Sequence, residues 1–163
     1  MLGDLRRADD GGWLPAVVRS CFARQWFIAC DFQDRYFTLF EDASETHAEL
    51  DRIAMFDFVA NNTDRKSGHV LRGNDGRIWG IDDGLCFSGA FKLRTVIWDF
   101  AGEPIPEALL ADISPLAESV PAELAKLLDD DEVTALQHRV QRMLVAGSLP
   151  VDRTGIRYPW PLV

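Results

Sequence analysis

The chain is 163 residues long, 47% hydrophobic and 26% charged, which suits one folded core and excludes a disordered chain. Its formal net charge is −9, so most of its face repels phosphate backbones and anionic lipid, which counts against nucleic acid or a membrane as the main partner. Three cysteines (Cys21, Cys30, Cys86) with no C-x-x-C spacing read as buried free thiols rather than a secreted disulfide framework.

No apolar run approaches the ~18 residues of a membrane span, and "MLGDLRRADDGG" lacks the apolar core of a signal peptide. A cytoplasmic location is therefore expected.

Residues 13–42 read as strands. "WLPAVVRSCFA", "QWFIACDF" and "RYFTLFE" are rich in Val, Ile and aromatics, the types that suit a pleated sheet, and Gln33-Asp34 is a candidate turn between the last two. "DASETHAE" (42–49) is a helix-entry signal, with acids where the N-terminal dipole favours them. From Leu50 to Ala60, Leu50, Ile53, Phe56 and Val59 mark one apolar face, with Met55 and Phe58 on a second. A helix apolar on two sides belongs inside the core. It should end at Asn61-Asn62, leaving Asp64 on the loop beyond.

"HVLR" and "RIWGI" flank Gly73-Asn74-Asp75-Gly76, a hairpin signal. "LCFSGAF" and "KLRTVIWDF" come next as an extended segment. The rest is helical. "PEALLADI" and "PAELAKLL" open on Pro, which suits the first helical position. A longer helix starts near Asp131, with Val133, Leu136, Val140, Met143 and Leu144 three or four apart and Gly147 as its stop. The tail "YPWPLV" is expected to dock by its aromatics. The order is that of an α+β fold with segregated elements.

The hairpin brings positions 69 and 81 to one end, so Asp64, before it, and Asp82, after it, should converge. Two carboxylates held at one pocket mouth suit metal-assisted phosphate chemistry, one orienting a hydroxyl and one holding a cation. The bland readings are a solvated loop carboxylate for Asp64 and turn chemistry for Asp82-Asp83-Gly84, with Asp83 a turn or supporting residue. His69 begins a strand and reads as a hydrogen-bonded structural residue more than as a ligand. His47 and His138 read as surface, Asp34-Arg35 as structural, and Asp129–Glu132 as a helix cap. Trp13, Trp79, Trp98 and Trp160 read as core or interface anchors.

"NTDRKSGHVL" followed by "GIDDGLCF" resembles the catalytic core of the phosphatidylinositol 3-/4-kinase superfamily, nearest in wording to its type II 4-kinases. With "KLRTVIWDFAGEPIPEALL" it looks closer still to an uncharacterised actinobacterial family of kinase-like proteins. The resemblance covers roughly 50–150. It implies a kinase-like C-terminal lobe over 46–163, with 1–45 a strand-rich remnant or hinge part of a small lobe.

The implied cofactors are ATP and Mg²⁺ or Mn²⁺. By the same resemblance, Asp64 is the catalytic-loop aspartate and Arg65 its structural or phosphate-facing neighbour. Asp82 becomes the metal ligand. Lys66 and Gly84 fall on the nucleotide side, Gly84 permitting the turn behind the metal. Lys92 and Arg94 lie on the acceptor side.

Two departures stand out. His69 occupies the position where kinases place a metal-binding Asn, and imidazole suits Zn²⁺ or Mn²⁺ better than Mg²⁺. The small-lobe Lys and Gly-rich loop have no counterpart before Asp64; Arg19 or Arg24 could substitute, or a protein partner could supply or replace that lobe. The reading is a kinase-like phosphotransferase acting on a protein or small soluble hydroxyl acceptor. The alternatives are a non-catalytic pseudokinase-type interaction module and a metal-dependent phosphohydrolase.

Overall fold

The computed structural model describes residues 30–42 and 44–162. The expected strands at 13–23 and 25–29, with Trp13, Arg19, Cys21 and Arg24, lie outside them. The fold is mixed α+β: a small antiparallel sheet with helices. The sheet has the order β1 (Cys30–Arg35), β2 (Val70–Gly73), β3 (Ile78–Gly80), antiparallel throughout. The helices are α1 (Tyr36–Asp42), α2 (His47–Ala60), α3 (Glu107–Ile113), α4 (Ala122–Ala125) and α5 (Asp130–Ala146). Among the described residues no helix is long and apolar enough to cross a membrane.

Helix α2 is the centre. Leu50, Ala54, Met55, Phe56, Phe58, Val59 and Ala60 are all buried, so the second half of the helix has no solvated face, while Ala48 and Arg52 in its first half are exposed. Leu136, Val140 and Met143 of α5 join the same core, with Tyr36 and Leu39 of α1 and Leu93, Val96 and Ile97 of the extended segment. Asn61 ends α2 in the left-handed conformation, φ 55°, one of the few residues that adopt it readily. Helix α5 starts one residue before Asp131, and its acidic run is the expected cap: Glu132 N–H donates to Asp129 Oδ1 at 2.8 Å, and Asp129 N–H to Glu132 Oε2 at 3.2 Å. Gly147 stops it at φ 63°.

"RYFTLFE" is a helix from Tyr36, not a strand, and Gln33-Asp34 lies within β1 rather than in a turn. Tyr36, Leu39 and Phe40 are spaced for one helical face, and that face packs on the core. Packing outweighs the β-propensity of the residue types. β1 and α1 lie N-terminal to the expected division at 45, yet they share the sheet and the core with the residues beyond it. Pro106 and Pro121 sit at the N-caps rather than inside their helices.

His47 is not a surface residue: its ring stacks on Phe40 with centroids 4.8 Å apart, and Nε2 lies 3.0 Å from the Phe40 carbonyl. Cys30 and Cys86 are half-buried and form no disulfide among the described residues. The tail docks by its backbone, Ser67 N–H donating to the Leu162 carbonyl at 2.8 Å, and by one of its aromatics, Tyr158, whose ring lies edge-on to Trp98 with centroids 6.4 Å apart, while Trp160 stands 87% exposed.

The β2–β3 hairpin forms as expected, with Val70 opposite Gly80, Leu71 opposite Trp79 and Arg72 opposite Ile78. Its Gly73 is required by close approach, because a Cβ there would lie 2.6 Å from Asp75 Oδ1 and 2.9 Å from Trp79 Nε1. Gly84 has open space around it and no left-handed φ; the turn it was expected to permit is made by Asp82, at φ 57°. Gly73→Ala should lower stability by about 1–3 kcal/mol and Gly84→Ala should change it by less than about 0.5 kcal/mol, both read from urea unfolding midpoints.

Candidate functional site

Ile81 N–H donates to the His69 carbonyl at 2.9 Å, so the hairpin closes where its length placed it. Beyond that closure Asp82 Oδ2 lies 3.5 Å from His69 Nε2. The His69 ring also feels the charges of Asp64 and Lys66, and Lys66 Nζ is 3.1 Å from Asp64 Oδ2. Asp64, Lys66, His69 and Asp82 are therefore brought together. Asp82 is 69% exposed and has a positive φ of 57°, a conformation that Asp, like Asn, adopts more readily than most residues.

Beneath this cluster lies a buried ionic network. Arg65 is fully buried. Its Nε donates to Asp57 at 3.1 and 3.2 Å, and its Nη2 to Asp57 Oδ1 at 3.0 Å and to Asp83 Oδ1. Its Nη1 donates to the carbonyls of Ile81 at 2.6 Å and His69 at 3.3 Å. Every donor of the guanidinium fork is spent, so of its two expected roles Arg65 has the structural one; no N–H is left for a phosphate or a substrate.

Asp57 also accepts from Asn62 Nδ2 and Thr95 Oγ1, both at 3.0 Å. Burial pushes the Asp57 carboxyl up, and Arg65 opposes it. All its partners are donors, which is the environment of a carboxylate. The two carboxylates hold Arg65 above its ordinary value against the effect of its burial.

Asp57 was missed by the sequence reading. Its signal was a carboxylate inside "MFDFVA", in the half of the helix with no solvated face, where a charge must find a partner. Asp83, read as a turn or supporting residue, is the second carboxylate on Arg65.

His69 begins no strand; it ends a short 3₁₀ turn, Ser67–His69. Its Nδ1 is 3.4 Å from the Lys66 N–H. With Nδ1 accepting, the ring proton of the neutral imidazole belongs on Nε2, which faces Asp82. Burial, with the Arg65 charge, holds its pKa below the ordinary histidine value.

Lys92 and Arg94 have exposed side chains. Their backbones are zipped to the site, Lys92 N–H to Asn61 Oδ1 at 3.0 Å, Arg94 N–H to the Asn62 carbonyl at 2.9 Å and Arg65 N–H to the Arg94 carbonyl at 3.1 Å. Gly84 makes no approach that its lack of a side chain serves.

A metal is tested by the donors present. No group of three His, Cys, Asp or Glu side chains that could hold a metal ion occurs among the described residues, so a closed protein cage for Zn²⁺ does not fit. Mg²⁺ needs only one or two carboxylates beside phosphates and water, and the accessible carboxylates of Asp82 and Asp64 fit that requirement. A cleft of about 440 Å³ lies between α2 and the hairpin, walled by Ile53, Phe56, Ile78 and Trp79 and rimmed by Arg52 and Glu49. It reaches the site through Arg65 and Asp83 but is lined by neither Asp64 nor Asp82.

The chain is similar to Protein Rv2133c of Mycobacterium tuberculosis (strain ATCC 25618 / H37Rv), with 40% identity over 116 residues, which are 69% of this chain and 42% of that protein. The chain spans less than half the length of that relative. No family model matches the chain, and no solved structure matches it.

Arg65→Met should leave Asp57 buried without its counter-charge and lower stability by about 3–5 kcal/mol, whereas Lys66→Met, breaking a partly exposed pair, should cost less than about 1 kcal/mol. Chemical denaturation distinguishes them. His69 adds a pH term of known sign. Its folded pKa lies below the ordinary 6.5, so between the two values the unfolded chain binds more protons and stability falls as the pH drops through 6.5. That part of the stability–pH slope should be absent in His69→Phe.

Proposed function

We propose that the chain is the catalytic-loop-bearing C-terminal lobe of a phosphotransferase of the phosphatidylinositol 3-/4-kinase-like type, using Mg·ATP to phosphorylate a hydroxyl acceptor. One observation carries this reading. The Arg65 fork ties the loop of Asp64 to the end of the hairpin that carries Asp82, and Asp82 is held in a left-handed backbone. Two accessible carboxylates on a rigid frame at one mouth suit in-line phosphoryl transfer, where positioning and charge do most of the work.

Asp64 takes the acceptor side. Its carboxylate receives the hydroxyl proton as a general base in reach of the acceptor. Lys66, paired with it at 3.1 Å, is the nearest cation for phosphate oxygens and is freed to serve them when the carboxylate turns to the acceptor. Asp82 would hold Mg²⁺ carried in with the nucleotide, whose contribution is neutralising phosphate charge. His69, with Nε2 3.5 Å from the Asp82 carboxylate, orients it. The acidic surface favours a protein or a small soluble acceptor over a bilayer lipid.

A second reading, a non-catalytic, pseudokinase-type interaction module, is supported by the exposed Trp160 and Ile156, since exposed large apolar side chains that lie together mark protein contacts.

Thermal unfolding with and without Mg·ATP separates the two. Nucleotide at 100 times its Kd should add about 2.7 kcal/mol, an upward Tm shift of several degrees, and Asp82→Asn should abolish it. No shift in either protein favours the interaction module.

A further inference from the structure

The chain is acidic overall, yet two segments that lie together are not. Residues 89–98 and 153–162 contain Lys92, Arg94, Arg153 and Arg157 and no Asp or Glu. Thr95 N–H and Trp98 Nε1 both donate to the Arg157 carbonyl at 3.1 Å, and the Arg157 guanidinium lies 4.6 Å from the centroid of the Phe91 ring. The acids that border the two segments are both engaged: Asp99 accepts from the Tyr36 hydroxyl at 2.6 Å, and Asp152 accepts from the N–H groups of Thr154 and Arg157 and the Thr154 hydroxyl and lies 3.8 Å from Arg157 Nε.

The same two segments hold a concentration of exposed apolar side chains: Trp160 at 87%, Ile156 at 76%, Phe91 and Tyr158 near half. They flank the loop of Asp64 on both sides. Arg65 N–H is bonded to the Arg94 carbonyl, and Ser67 N–H to that of Leu162. A polypeptide that offers a hydroxyl to Asp64 would have these segments beside it.

We propose that the platform formed by Phe91, Lys92, Arg94, Arg153, Ile156 and Trp160 docks an acidic polypeptide segment, and that this segment is the acceptor. The identification of the docked segment as the acceptor rests on the phosphotransfer reading; the docking itself does not. Charge complementarity selects an anionic occupant, and exposed Trp, Tyr and Arg are the residues that anchor protein partners.

A short peptide sees only this patch, because at physiological salt charges beyond about 8 Å are screened. An anionic bilayer is broad and faces the rest of an acidic molecule as well, so the peptide is favoured over the membrane. Lys92 and Arg94 supply the charge. Trp160 and Ile156 supply the apolar anchors for residues beside the acceptor hydroxyl.

The test is binding of a fluorescein-labelled random Glu-Tyr copolymer at physiological salt, read by anisotropy. Phosphatidylcholine vesicles with and without phosphatidylserine serve as the competing surface. The double variant Lys92→Glu/Arg94→Glu should weaken copolymer binding tenfold or more, and Trp160→Ala several-fold. No copolymer binding, binding indifferent to these variants, or binding to phosphatidylserine vesicles in preference to the copolymer each overturns the proposal. Copolymer binding with this mutational pattern, but without phosphate transfer from Mg·ATP, upholds the docking surface and counts against the phosphotransfer reading alone.

Discussion

The placement of Arg65 inside the core is the constraint on which the candidate site depends. A guanidinium fully withdrawn from water is tolerated only when its charge and all its N–H groups are matched. Here the matches come from four places in the chain: Asp57 on α2, the carbonyls of His69 and Ile81 at the two ends of the hairpin, and Asp83 just past it. One side chain thus sets the central helix, both hairpin ends and the adjoining turn against each other. Asp64 and Asp82 are the immediate chain neighbours of Arg65 and Asp83, so their positions are set by a network in which neither takes part.

The segment after Asp82 is ordered by a related device. It forms no strand of the sheet, so its backbone groups must be satisfied one at a time. Asn61, which caps α2, also donates from Nδ2 to the Ser88 and Ala90 carbonyls, each at 2.8 Å, and accepts from Lys92 N–H. Arg139 reaches over from α5 to the carbonyls of Val59 at 2.9 Å and Ser88 at 3.4 Å. Burial of that guanidinium lowers its pKa to about 10. The end of the central helix, the long C-terminal helix and the irregular segment are thereby joined close to the carboxylate pair. The aromatic and cationic platform is carried on this segment and on the tail that runs beside it.

Much of this layout is legible in the residues alone. Two apolar faces make α2 a core helix, Gly-Asn-Asp-Gly makes the hairpin, and hairpin length alone brings residues 69 and 81 together. Other features are not legible. "RYFTLFE" carries residues of high β-propensity and a helical spacing at once, and only the core decides between them. Arg65 has two readings in the sequence because an arginine beside a catalytic-type aspartate serves either; burial leaves the structural one. Trp160 has the composition of an anchor, yet it is the tail's backbone, Tyr158 and Leu162 that dock.

The sequence by itself determined the central helix α2, the β2–β3 hairpin and the capped start of α5, because those signals depend on spacing and turn chemistry within a few residues. It also determined that residues 69 and 81 meet, since a short hairpin has one geometry. Only the tertiary structure decided what Asp57, Asp83, His69 and Arg65 do, because a charge acquires its role from partners far away in sequence. It alone placed the basic segments 89–98 and 153–162 side by side, since a long-range contact between irregular segments leaves no periodic trace in the residues that make it.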